Sequence, residues 1–223
     1  MRVLLFGATG MVGQGVLREC LAAPDVTLVQ TVGRSPTGVQ SPWLREVVRP
    51  DLADLSPLAD ALGGFEACVF CLGVSSFRMS EADYTRLTYD LTLGVAQVLA
   101  PLNRGMTFIY VSGTGTDSSE QGRIMWARVK GRTENALQRL GFRTVYLFRP
   151  GMIVPMHGER PHAEAYRWLY PVLGPTLPLM RRLFPNSVVT TEIMGRAMLN
   201  VTRHGWRQPI LEPADINAAA ARG

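Results

Sequence analysis

Val3-Leu4-Leu5-Phe6-Gly7-Ala8-Thr9-Gly10-Met11-Val12-Gly13 is the stretch that decides the fold. Val3 to Phe6 is an apolar run of strand length, and a glycine-rich turn follows it at once. Helical spacing then begins with Val12, Val16, Leu17, Cys20 and Leu21. The glycines fall as G-x-x-G-x-x-G, a variant of the dinucleotide-binding turn, and each has its own task. Gly7 permits the sharp strand-to-helix turn, Gly10 lets the backbone approach a pyrophosphate, and Gly13 lets the helix pack on the strand. Phosphates bound there would meet free N–H groups at a helix N-terminus, where the dipole favours negative charge. Thr9, Met11 and Val12 complete this candidate cradle.

Working outward, a chain of 223 residues with 47% hydrophobic and 18% charged residues describes one globular domain with ample core. The net charge of +5 is modest and adjacent basic residues are rare, Arg181-Arg182 being the clearest pair. This fits a small anionic ligand or a mildly basic surface, and it argues against nucleic acid as a partner. The apolar run after Arg2 ends at Phe6, far short of a secretory signal, so none is expected. Cys68-Val69-Phe70-Cys71 spells C-x-x-C inside a strand-like run. Residues i and i+3 of a strand face opposite ways, so these thiols are expected to be buried and separate. With Cys20 they imply a reducing compartment, taken most simply as the cytoplasm.

Taken in order, Val26 to Val32 reads as a second strand ending in Gly33-Arg34-Ser35-Pro36. In a doubly wound sheet this tip lies beside the adenosine ribose, where an acid selects NAD. Here it holds Arg34, whose guanidinium can pair with a 2′-phosphate, so NADP(H) is expected over NAD(H). Glu46 to Arg49 reads as a third strand, followed by Pro50-Asp51-Leu52, and residues 54–62 as a short amphipathic helix. Ala67 to Leu72 reads as a buried fourth strand, with Gly73 where the second half of the cofactor would pass. Ser80 and Asp83 cap a long helix to Leu102, with Leu87, Leu91, Val95, Val98 and Leu99 on its apolar side. Thr107 to Val111 and Thr144 to Phe148 are the fifth and sixth strands, with a helix from Gly122 to Leu140 between them.

The last third is less regular. His162 to Leu173 and Leu177 to Phe184 read as short apolar helices, Thr191 caps another helix to about Val201, and Pro209 to Leu211 is an edge strand. The run Leu169 to Met180 has 12 residues, too few to cross a bilayer. For residues 166–184, packing against the sheet is expected first, a substrate-side cap second and peripheral membrane contact last.

Gly7, Gly10 and Gly13, with Arg34, Asp51-Leu52, Ser112, Lys130 and Arg149-Pro150-Gly151, resemble the short-chain dehydrogenases/reductases. The resemblance is closest to the atypical branch, the NAD(P)-binding proteins related to the Tat-interacting protein and to NAD-dependent epimerases/dehydratases. It covers residues 1–155 well and the rest loosely. It implies an α/β fold, a single doubly wound parallel sheet, with residues 1–155 as core and 156–223 as a small helical cap and C-terminal elements. It also implies cofactor contacts from Gly7, Thr9, Gly10, Met11, Val12, Gly13, Arg34, Asp51, Leu52, Leu72, Gly73, Lys130 and Pro150.

In that family a serine polarises the substrate carbonyl. A tyrosine four residues before the lysine passes the proton, and the lysine holds the nicotinamide ribose. Ser112 and Lys130 match, but the tyrosine position holds Trp126, whose indole has no proton to transfer near neutral pH. Three readings stay open: a donor among Tyr84, Tyr89 and His157; relay by water or Ser112; or an NADP(H)-binding sensor or interaction module without turnover. Trp126 is the candidate contact for a small-molecule substrate, with core packing as its plain alternative. Asp117, Glu120 and Glu134 read as helix-end solvation. His157 and His162 lack partners at metal-ligand spacing, so no metal is expected. A monomer or homodimer is the expected state.

Overall fold

The computed structural model describes residues 1–159 and 187–222. Its centre is a seven-stranded, wholly parallel sheet in the order β3-β2-β1-β4-β5-β6-β9. The strands are β1 (Arg2–Phe6), β2 (Leu28–Gly33), β3 (Leu44–Val48), β4 (Ala67–Phe70), β5 (Thr107–Val111), β6 (Thr144–Phe148) and β9 (Ile210–Leu211). A separate parallel pair, β7 (Met152–Val154) with β8 (Val188–Thr190), leaves the carboxyl end of β6. Neither β7 nor β8 is expected from the sequence, where Arg149-Pro150-Gly151 reads as a simple break.

Both faces of the sheet are covered, as parallel strands require. Alternation along β1 sends Val3 and Leu5 to one face, Leu4 and Phe6 to the other. The first face packs on α1 (Met11–Ala22), α5 (Thr191–His204) and α6 (Pro213–Ala220) through Val16, Leu17, Met194, Ala197 and Ile216. The second meets a 3-10 helix (Ser56–Leu62), α3 (Leu91–Leu102) and α4 (Met125–Leu137). Phe6, Phe70 and Phe108 stack across the central strands of that face, with ring centroids 5.6 and 6.1 Å apart. Cys68 lies in the second core and Cys71 packs on the first, so the two thiols face opposite ways, as the strand period demands.

Residues 81–102 are not one regular helix. A π-turn over Arg86–Asp90 joins α2 (Glu81–Thr85) to α3. The wider turn resets which residues face inward. Tyr84, Thr88 and Thr92 are buried, while Leu87, expected on the apolar side, is 38% exposed. The Ser80 cap is present: its Oγ accepts from the Asp83 amide at 3.1 Å. At α5 the cap is Thr190, one residue before the expected Thr191, and its hydroxyl accepts from Ile193 N at 3.0 Å. Helix α4 starts at Met125, not Gly122, because residues 112–124 form a loop pinned by Asp117.

Most of the last third closes the sheet layers. Helix α5 lies on α1 at glycine contacts: a Cβ at Gly15 would stand 2.6 Å from Thr191, and one at Gly195 would stand 2.6 Å from Glu19. The expected helices over 162–184, the surface-contact segment 166–184 and His162 lie outside the described residues. No helix among the described residues is long and apolar enough to cross a membrane.

Candidate functional site

The strand order reverses between β1 and β4, and their carboxyl ends open the crevice where such sheets receive ligands. Gly7 turns there with φ +80°, and a Cβ on it would stand 2.8 Å from the Cys71 and Leu72 backbone. A Cβ on Gly13 would be 2.0 Å from the Gly7 carbonyl oxygen, so helix α1 touches the turn directly. Gly10 differs. Its nearest neighbour would be the Gly7 carbonyl oxygen at 3.4 Å, and its remaining side is open. It caps α1 with no side-chain hydrogen bond and no acid in the first turn, which leaves the helix N-terminus accessible to an anion. Thr9, Met11 and Val12 are half-buried around it, and the Thr9 carbonyl accepts from Gln14 Nε2 at 2.6 Å.

Register carries the crevice outward. Phe6 pairs with Val32 and Gly33 with Val48, so Arg34 stands just beyond the level of the glycine turn. Arg34 is exposed and makes no hydrogen bond or ion pair among the described residues. Arg49, on the neighbouring strand end, donates its amide to the Gly33 carbonyl at 2.8 Å. Its buried Nε has no hydrogen-bond partner among the described residues. This second guanidinium was missed in the sequence, although its place at the end of β3, next to the Arg34 tip, was the available signal. Asp51 is exposed and folds its carboxylate onto Ala53 N at 2.8 Å, while Leu52 is buried under the sheet. Leu72 is half-buried, and Gly73 is open, with nothing within 4 Å of a Cβ placed on it. These residues fit a dinucleotide: a cradle without Cβ atoms, an unblocked helix end and two guanidinia at the ribose end.

The other half of the edge is closed upon itself. Trp126, Lys130 and Glu134 follow at four-residue spacing on one face of α4. Lys130 Nζ donates to the Ser112 carbonyl at 2.6 Å. Ser112 Oγ stands 2.5 Å from Glu134 Oε1 and 3.2 Å from the Phe148 carbonyl, so its one proton is directed to the carboxylate. Glu134 is fully buried and ion-paired with Arg149, whose Nε reaches Glu134 Oε1 at 3.1 Å and whose Nη2 reaches Ser118 Oγ at 2.6 Å. The helix-end reading of Glu134 is therefore wrong. Its recoverable signal was the i+4 spacing from Lys130. Burial draws the Lys130 ammonium down to about 8, with Glu134 opposing the shift.

Trp126 is half-buried and belongs to neither core cluster; its ring edge would be 3.6 Å from a Cβ on Gly115, in the loop after β5. Asp117 organises that loop, accepting from Ser119 Oγ at 2.6 Å and Gly122 N at 2.6 Å. Pro150 is buried and its carbonyl accepts from Thr114 N at 3.0 Å, tying the loops after β5 and β6. The alternative proton donors do not converge here. Tyr84 is 2% exposed and burial raises its phenol. Tyr89 lies under the Arg132 guanidinium at 4.2 Å, and His157 is exposed 3.6 Å from Glu192 at the start of α5. A groove of about 370 Å³ bordered by Glu19, Pro24, Glu192, Arg196 and Arg203 opens between α1 and α5, and its Glu192 is the residue that His157 faces.

No family model matches the chain. It is 25% identical over 205 residues to the mitochondrial protein fmp52 of Emericella nidulans, covering 89% of this chain and 85% of that one. It is 26% identical over 200 residues to protein HTATIP2 of Rattus norvegicus, covering 89% and 79%. Among solved structures, Bordetella bronchiseptica WbmF in complex with NAD+ superposes with TM-score 0.68 at 14% identity, covering 97% of this chain and 76% of that one. A short-chain dehydrogenase/reductase family oxidoreductase of Burkholderia thailandensis gives TM-score 0.66 at 16% identity, covering 96% and 92%.

These relatives correct one expectation. The fmp52 proteins are named mitochondrial, which overturns the cytoplasmic assignment. Free, separately placed cysteines fit a reducing compartment and do not distinguish one such compartment from another. In fold the chain is similar to NAD(P)-binding enzymes of the short-chain dehydrogenase/reductase and epimerase/dehydratase type, and in sequence it is similar to fmp52 and HTATIP2.

Proposed function

We propose that the protein is an NADP(H)-dependent oxidoreductase, or an epimerase-like variant of one, acting on a small carbonyl or hydroxyl compound. The observation that carries the cofactor preference is Arg34, exposed and without an ion-pair partner among the described residues at the tip of β2. Arg49 supports it with a buried, unpartnered Nε on the next strand. A 2′-phosphate between two guanidinia gains charge-assisted hydrogen bonds that a 2′-hydroxyl cannot match. Gly7 to Gly13 would hold the pyrophosphate, and Leu72, Gly73 and Pro150 would border the path to the nicotinamide. When bound, the dinucleotide supplies hydride exchange. The chain's part is to bind it, orient a carbonyl beside Ser112 and Lys130, and manage the proton.

Exposed apolar side chains border the carboxyl edge of the sheet: Phe77 is 76% exposed, Ile124 58%, Met156 42% and Met152 38%. With Trp126 they favour a substrate with an apolar surface. Equilibrium titration of NADPH and NADH tests the proposal. Arg34→Asp is expected to weaken NADPH by about 1–3 kcal/mol and to change NADH little. Equal loss for both dinucleotides refutes the 2′-phosphate role. Oxidation of NADPH against a panel of aldehydes, ketones and quinones tests turnover.

A further inference from the structure

Lys130 is the single lysine of the chain: of 23 basic residues, all others are arginine. Arginine makes the surface pairs here, the interhelix pairs and the buried pair with Glu134. A guanidinium keeps its proton at any physiological pH, whereas an amine gives it up readily when desolvated. The one position that uses an amine is the one facing Ser112.

Among the described residues, the rest of the site offers no other group placed to give a proton. Trp126 has replaced the tyrosine, and the Ser112 proton is directed to Glu134 at 2.5 Å. Glu134 is already paired with Arg149. Tyr84 and Tyr110 are buried in the interior, Tyr89 lies under Arg132, and His157 faces Glu192. We propose that Lys130 itself donates the proton in carbonyl reduction, a role that rests on the oxidoreductase reading above. Glu134 is then a positioning residue, which fixes the Ser112 hydroxyl one helical turn from the amine.

The step balances as follows. The carbonyl carbon gains hydride, with its two electrons, from the reduced nicotinamide dinucleotide. The C–O π bond breaks, and the oxygen takes a proton from Lys130 Nζ, breaking one N–H bond. Water reprotonates the neutral amine. Burial brings the amine to about 8, which suits release and recovery of a proton near neutral pH. The charged neighbour that bears on this titration is Glu134 on the same helix, which is itself paired with Arg149 at the end of β6. From the helix packed against α4, Glu81 is engaged by Arg128 and Tyr84 stays neutral.

A sole lysine makes the test clean. Protein labelled with ¹³C at the lysine ε carbon should show one lysine resonance, titrating near 8 instead of the ordinary value of about 10.4. Wild-type kcat for carbonyl reduction should fall above the same midpoint. Lys130→Arg, checked for folding by its melting curve, should keep NADPH affinity within about threefold while kcat drops at least about 100-fold. An arginine variant that keeps kcat within about threefold overturns the lysine's role alone. So does a resonance that titrates at the ordinary value with no basic limb in kcat. Wild type that binds NADPH but reduces no carbonyl in the panel refutes the oxidoreductase reading, and this assignment with it.

Discussion

The two halves of the sheet's carboxyl edge handle their polar groups in opposite ways. At β1, β2 and β3 the groups face outward: the Gly10 cap carries no side chain, Arg34 is unpaired among the described residues, and the Arg49 Nε lacks a partner. At β5, β6 and α4 they face one another, with Ser112, Glu134 and Arg149 closed into one buried network. An unsatisfied half is prepared for something that comes from outside, since buried polar groups otherwise carry a desolvation cost. A satisfied half is a frame, and among the described residues within it Lys130 is the group left with protons to exchange.

The largest test of this contrast is Glu134→Ala. It removes the buried carboxylate partner of Arg149, leaving Ser118 and a longer 3.6 Å contact with exposed Glu212, and should cost about 3–5 kcal/mol in urea unfolding. Replacing both partners, as Glu134→Leu with Arg149→Met, should recover most of that loss; failure to recover would mean that the network shapes more than its own pair. In the open half the effects should separate. Gly13→Ala drives a Cβ to 2.0 Å from the Gly7 carbonyl oxygen and should lower stability by about 1–3 kcal/mol along with dinucleotide affinity. Gly10→Ala meets only one neighbour at 3.4 Å, so its melting temperature should hold while dinucleotide affinity falls. A matched drop in both would place Gly10 in the frame, not the cradle. The smallest effect is that of pH. Between about 8 and 10.5 the unfolded chain holds a proton that folded Lys130 has lost, so its contribution to stability rises with pH, against the falling contribution of Cys20, Cys68 and Cys71, whose burial keeps protons that the unfolded thiols release. Lys130→Met, compared at each pH by urea midpoint, should therefore lose stability with pH more steeply than wild type, and parallel curves would refute the shift.

The open half was legible in the sequence because its chemistry is local. Gly7, Gly10 and Gly13 lie within seven consecutive residues, and Arg34 follows a strand whose end the apolar run marks. Strands β5 and β6 match their expected bounds for the same reason. The closed half was read only in part. Ser112 and Lys130 emerge from order along the chain, but Glu134 looked like surface because its partner Arg149 is supplied by another strand. Leu87 misled for a subtler reason: a constant helical period cannot foresee the π-turn that shifts the face. The compartment misled because a thiol reports redox poise, not address.

The glycine contact between α1 and α5 bears on how the protein comes into being. The helix that follows the dinucleotide turn rests on one made far later: Arg18 pairs with Glu159 across 141 residues and Arg203 with Asp25 across 178. Such separations slow folding, because loop closure comes before the contacts that reward it. On the ribosome, α1 must therefore wait for α5 before its outer face is covered. Until then the nascent β1–α1 unit shows an apolar flank to the cell, and chaperone engagement should be concentrated in that interval.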